Sequence, residues 1–244
     1  MHAVALPSMQ SSRFHSSAGF GFVRRMMFRR HPEIRRANGN PSASISHHHC
    51  IISGTGRTGT SFLVQLLTRL GKDTGFQPGG LVLDNIAKAG LEHDLRLAGC
   101  PYIVKSPWLC DYIDEVLGNR CIVIDRAYIP VRDLQAAAQS RVQVQQTSGG
   151  GALGIDVPGG LWHTKEPESQ AAVLLGRFYN LVEKLSRADV PMVFMHYPRL
   201  VNDPEYLYRK LELLVGDVEF LRFQLAFQQT VRPQWIHKFT DADV

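Results

Sequence analysis

Residues 50–64, CIISGTGRTGTSFLV, set five hydroxyl side chains, three glycines and one arginine where an apolar run gives way to a helical one. The chemistry this suits is anion binding. A glycine-rich turn entering a helix presents unpaired backbone N–H groups and the positive end of the helix dipole. Two phosphate-binding patterns overlap here. Gly54 to Gly59 reads as G-x-G-x-x-G, the dinucleotide fingerprint; followed by Thr60-Ser61 it reads as G-x-x-x-x-G-K-[ST], with Thr60 in place of the lysine. The fingerprint requires an acid about 20 residues on, at the end of a second strand, whereas Asp73 precedes a turn in GKDTGFQPGG. A nucleotide kinase requires the lysine and an acid on Mg²⁺; the candidate acid is Asp125, after CIVI. Arg57, inside the turn, instead suits an anion gripped by one side-chain charge, hydroxyls and amides, with no metal.

Further candidates lie downstream. Lys105 ends the apolar run YIVK, and ligands of open parallel sheets gather beyond such carboxyl ends. Arg132 closes another run, IPVR, and a guanidinium can grip phosphate with two parallel bonds. His163 lies in the Gly-rich GGLWHT stretch, where Trp162 on the long loop Thr147–Thr164 reads as an acceptor-side lid or as an anchor to the core.

At these residues the chain resembles a known family. GTGRTGTSFLVQLL is similar to the 5′-phosphosulfate loop of sulfotransferases that use 3′-phosphoadenosine 5′-phosphosulfate, roughly G-x-x-[RK]-[ST]-G-[ST]-[ST]. That family also carries an Arg at a strand end and a Ser eight residues later, matched in IPVRDLQAAAQSR by Arg132 and Ser140. FMHYPRLVNDPEYLYRKLELL resembles its strand-Tyr-x-x-Leu-x-x-x-Pro-helix unit through Tyr197, Leu200, Asp203 and Pro204, with Pro198 where a Glu is common. The resemblance runs roughly from Cys50 to Val215. It implies a P-loop NTPase-like fold and a donor site in which Gly56, Arg57, Thr58, Gly59, Thr60 and Ser61 hold the 5′-phosphosulfate. Arg132 and Ser140 would hold the 3′-phosphate, and Lys105 would assist the departing group. The family's usual catalytic His falls at Pro107, so the base is sought at Glu92, Asp84 or His163.

The elements that must position these groups follow from the pattern of the chain. Short β-type runs alternate with helical ones, the mark of a parallel sheet wrapped by helices, so we expect a three-layer α/β/α fold. Strands are expected at Cys50–Ser53, Tyr102–Val104, Cys121–Ile124, Tyr128–Val131 and Met192–His196. Helices are expected at Ser61–Leu70, Asp84–Leu97, Trp108–Leu117, Asp133–Gln146, Pro167–Arg187, from Pro204 onward, and near Glu219–Gln229.

Residues 1–49 read as a disordered leader, and 50–244 as one domain. In the leader Arg13, Arg24, Arg25, Arg29, Arg30, Arg35 and Arg36 stand against Glu33 alone. This suits a transit peptide, an over-long start or an arm for an anionic surface. The rest of the chain holds 20 Lys and Arg against 21 Asp and Glu, about −1, which argues against a nucleic-acid-binding body. No run of about 18 apolar residues occurs, so no transmembrane segment is expected. Cys50, Cys100, Cys110 and Cys121 lack C-x-x-C spacing and read as free thiols in a reducing, cytoplasmic setting. The expectation is a cytoplasmic sulfotransferase acting on a hydroxyl or amine of a small-molecule, glycan or lipid acceptor. The alternatives are a P-loop kinase-like phosphotransferase and a non-catalytic nucleotide-binding relative.

Overall fold

A computed structural model describes residues 46–84, 89–148, 157–236 and 239, within the compact unit Ala43–Val244. The leader up to residue 45, the middle of the Thr147–Thr164 loop and the end of the chain lie outside the described residues. Four parallel strands, β1 (His47–Ile52), β2 (Ile103–Lys105), β3 (Ile122–Val131) and β4 (Met192–His196), form one sheet in the order β2-β1-β3-β4. Between and after them come α1 (Thr60–Arg69), α2 (Ile113–Gly118), α3 (Leu134–Thr147), α4 (Gln170–Arg187), α5 (Arg199–Asn202), α6 (Pro204–Lys210), α7 (Glu212–Val215) and α8 (Phe220–Thr230).

Alternation along the strands splits the core into two clusters. Cys50, Ile52, Ile103, Tyr128 and Met195 face one way and pack with Leu63, Leu66 and Leu67 of α1 and Phe223 of α8. Ile51, Val104, Ala127 and Ile129 face the other way and pack with Ile113 of α2 and with Leu181 and Leu185 of α4. Helices therefore cover both faces, the arrangement expected for buried parallel strands.

Several expectations need correction. β1 begins at His47, inside the stretch read as leader: His49 is 4% exposed, and its Nδ1 lies 2.7 Å from the Pro101 carbonyl oxygen. The two candidate strands at 121–124 and 128–131 are one strand. β3 carries a bulge at Asp125, since His49 pairs with Ile124 and Cys50 with Arg126. The extra residue shifts the inward phase, so Ile124 and Ala127 share a face. Pro130 fits in this interior strand because Tyr128, two residues back, accepts from Ser53 on the β1 side, and β1 ends before Pro130 is reached.

The helix expected over Asp84–Leu97 is absent from its described residues. Gly90 and Leu91 take φ of 132° and 67°, and His93 donates its backbone N–H to Lys105 O along the sheet edge. Residues 85–88 lie outside the described set. The helix expected at Trp108–Leu117 is a 3₁₀ turn, Leu109–Asp111, followed by α2, with Tyr112 at φ −135° between them. By contrast α3, α4, α6 and α8 fall close to where hydrophobic spacing and caps put them. Asp203 Oδ1 accepts from Tyr206 N at 2.8 Å, and Pro204 takes the first helical position. No helix among the described residues is long and apolar enough to cross a membrane.

Candidate functional site

The carboxyl edge of the sheet opens into a cavity of about 1080 Å³, and all four strands contribute to its wall. β1 runs into the Gly54–Thr60 loop, β2 ends at Lys105, β3 is followed by Arg132 and β4 by Tyr197. A small-molecule site occupies roughly 300–1,000 Å³, so this cavity lies at the large end of that range.

The loop takes its shape from glycine. Gly54, Gly56 and Gly59 have φ of 142°, 68° and 84°, and Gly59 is the N-cap of α1 in a left-handed conformation. Arg57, at φ 59°, shares that left-handed region, which aims successive backbone groups to one side, as in an anion nest. A Cβ at Gly59 would stand 3.1 Å from Leu200 Cδ1, and one at Gly56 would stand 2.8 Å from Arg141 Nη2. Gly56, Arg57, Gly59, Thr60 and Ser61 all line the cavity. Thr58 does not: it is fully buried, and its Oγ1 has no hydrogen-bond partner among the described residues. The phosphate-holding role expected of its hydroxyl therefore has no support from its placement.

Arg57, Arg132 and Ser140 come from distant stretches and meet. Arg57 Nε donates to Ser140 Oγ at 3.1 Å, and Arg132 Nη1 donates to Arg57 O at 3.3 Å. Arg132 is 8% exposed, with its guanidinium 4.7 Å from the Tyr197 ring centre. Burial, and secondly Arg132, holds the Arg57 guanidinium below its ordinary pKa. Asp133 caps α3, its Oδ1 accepting from Ala136 N at 2.8 Å, and so sets the direction in which Ser140 is presented.

Lys105 is 2% exposed and fully bonded: its Nζ donates to Ser61 Oγ at 2.8 Å, Gly90 O at 2.5 Å and Glu92 Oε1 at 2.7 Å. Desolvation pushes its pKa down, against the pull of Glu92. Glu92 lines the cavity, but one carboxylate oxygen is spent on this ammonium and on Gly90 N. His163 also lines the cavity. Its Nε2 sits 3.0 and 3.1 Å from the oxygens of Asp111, which Arg177 also contacts at 3.1 Å. Asp84 is exposed and is not among the described lining residues. Neither is Asp125, the acid a kinase reading needs: it lies mid-strand, bonded to His48 Nδ1 at 2.7 Å and to Tyr102 OH at 3.2 Å. Asp73, the nearest acid for a dinucleotide reading, accepts from Tyr102 N instead.

One residue of the site escaped sequence reasoning. Arg141, beside Ser140, is 6% exposed; its Nη2 donates to Thr55 O at 2.6 Å and its Nη1 to Gly160 O at 2.8 Å. Burial, and next Arg57, pushes its pKa down to about 10. The available signal was periodicity: Ala137, Arg141 and Gln145 recur every four residues on the buried face of α3. The segment carrying Trp162, expected to be a mobile lid, is tied down where it is described. Leu161 N donates to Gln145 Oε1, and Trp162 N to Gln170 Oε1 at 2.7 Å. Trp162 packs against the core, as the anchor reading has it, and also lines the cavity.

Comparison with protein-family models, with curated proteins and with solved structures finds no match to this chain.

Proposed function

We propose that the chain is a sulfotransferase that moves a sulfuryl group from 3′-phosphoadenosine 5′-phosphosulfate to an acceptor hydroxyl or amine, on a P-loop NTPase-like frame. The observation that carries this reading is the Arg57–Ser140–Arg132 cluster. Two stretches that resemble the family separately, and share no local structure, are joined by hydrogen bonds at one cavity wall. The residues fit the donor chemically: the glycine-rich turn opens onto the cavity, and Arg57, Lys105, Arg132 and Arg141 line it.

In this reading the first turn of α1 and Arg57 bind the 5′ end and stabilise charge developing on the transferring group. Arg132 and Ser140 orient the 3′-phosphate, so that the reacting atoms lie in line. Lys105, held by Glu92 and Ser61, directs its charge toward the leaving side. For the general base we choose His163 over Glu92. Asp111 fixes the imidazole through Nε2, and Nδ1 has no hydrogen-bond partner among the described residues, whereas Glu92 is committed to Lys105.

Titration calorimetry of the protein with adenosine 3′,5′-bisphosphate, ATP–Mg²⁺ and NAD tests the donor. The expected result is binding of the bisphosphate alone, lost in Arg132→Ala. Preference for ATP–Mg²⁺ would replace the reading with a kinase-like one, and binding of none of the three would end it.

A further inference from the structure

A buried guanidinium normally has a carboxylate or other anion as its partner, because an uncompensated charge in the interior is costly. Arg141 has none. Its hydrogen-bond partners among the described residues are two backbone carbonyls, Thr55 O in the phosphate-type loop and Gly160 O in the Trp162 segment. Its Nε is buried without a hydrogen-bond partner among the described residues. The guanidinium also lies 5.0 Å from the Trp162 ring centre. Only a glycine at position 56 admits it this close, since a Cβ there would stand 2.8 Å from Nη2. A charge this enclosed, set against an anion-type loop and lining the cavity, is placed to take a neutralising group that none of the described residues supplies.

We propose that Arg141 is an anion-binding residue of the loop site, and that its bond to Gly160 ties the arrival of an anion to the Trp162 wall of the cavity. Neutralising Arg141 from the loop side draws the guanidinium toward the anion. The Arg141 bond to Gly160 O and its contact with the indole carry that shift to Trp162, while Gln145 and Gln170 hold the neighbouring backbone at Leu161 and Trp162. The inference holds for any phosphate-like anion at Gly54–Ser61, and it does not rest on the adenosine donor.

The test uses the full chain carrying Trp108→Phe and Trp235→Phe, which leaves Trp162 as the last of the three tryptophans, with inorganic pyrophosphate as the probe. Saturation is expected to change Trp162 emission. Arg141→Met should weaken pyrophosphate binding by about tenfold or more, the value of a charge-assisted hydrogen bond. Arg141→Lys should keep most of the affinity yet lose the emission change, because one ammonium cannot hold both carbonyls in the fork geometry. A Met variant that binds as tightly as its parent would overturn the binding role. A parent whose emission does not respond at saturation would overturn the tie. Should the Met variant fail to fold by circular dichroism, Gly56→Ala displaces the same guanidinium without removing its charge. Unaltered binding and emission in that variant would likewise refute the proposal. Arg141-dependent binding of pyrophosphate without any binding of adenosine 3′,5′-bisphosphate would leave this inference standing while removing the sulfotransferase reading.

Discussion

Lys105 Nζ has three oxygen partners within 2.8 Å, and the side chain is 2% exposed. Glu92 supplies the only formal charge among them, so removing that charge strands a buried ammonium. We therefore expect Glu92→Gln to destabilise the fold by about 3 kcal/mol, and Glu92→Gln with Lys105→Met to recover most of the loss. Urea denaturation of the single and double variants measures this directly. Glu92→Gln is accordingly a poor probe of general-base chemistry, and His163→Ala is a cleaner one: turnover should fall while adenosine 3′,5′-bisphosphate binding is kept. At this scale Lys105 and Arg132 could be singled out because each closes an apolar run, Arg57 because it sits inside a glycine-rich turn, and Ser140 through the family resemblance. Glu92 as an ion-pair partner could not. It reaches Lys105 through a left-handed turn at Gly90 and Leu91, and no helical or strand period announces that turn.

The element that carries Ser140 and Arg141 to the cavity is α3, whose N-terminus is fixed by Asp133. Asp133→Ala should cost about 1 kcal/mol of stability, and it should weaken bisphosphate binding by loosening the helix that bears Ser140 and Arg141. Thermal melts and titration of the same variant separate the two effects. Asp203 caps α6 in the same way and adds a pH signature. Its carboxyl lies below the ordinary aspartate range, first because Tyr206 N donates to it and then because Arg199 does. A folded value below the unfolded one means that the cap's electrostatic contribution is complete above the unfolded pKa and is lost as pH falls through the folded one. Melting temperature should thus decline less steeply below about pH 4 in Asp203→Asn than in the wild type. The helical run Asp133–Gln146 and the proline start at Pro204 made α3 and α6 legible in advance. β3 was read as two pieces because Asp125-Arg126 interrupts the apolar run, and sequence gives no sign that a bulge carries pairing across that interruption.

Over the molecule as a whole, alternation of strand-like and helix-like runs was enough to anticipate a parallel sheet covered on both faces, since each strand must bury both sides. Strand order was not legible, because nothing local tells β1 that its neighbours will be β2 and β3. The charge pattern makes sense at this scale. The body is near neutral, yet Arg57, Lys105, Arg132 and Arg141 gather on one cavity wall. Acidic residues spread over the remaining surface balance them, so the field is concentrated where the strands end.

Deleting a residue from an interior strand ordinarily turns every later side chain to the wrong face. Asp125 is the exception built into this sheet. Without it, His49 would still lie opposite Ile124 and Cys50 opposite Arg126, and the inward sequence from Ile122 to Val131 would alternate without a skip. The loss would be confined to the bonds with His48 and Tyr102. The central strand therefore contains one position at which chain length can change without a change of register. A variant lacking Asp125 should be recovered folded, by circular dichroism and melting, where one lacking Ala127 is not. Related chains can accordingly differ by one residue here and still share every contact at the carboxyl edge.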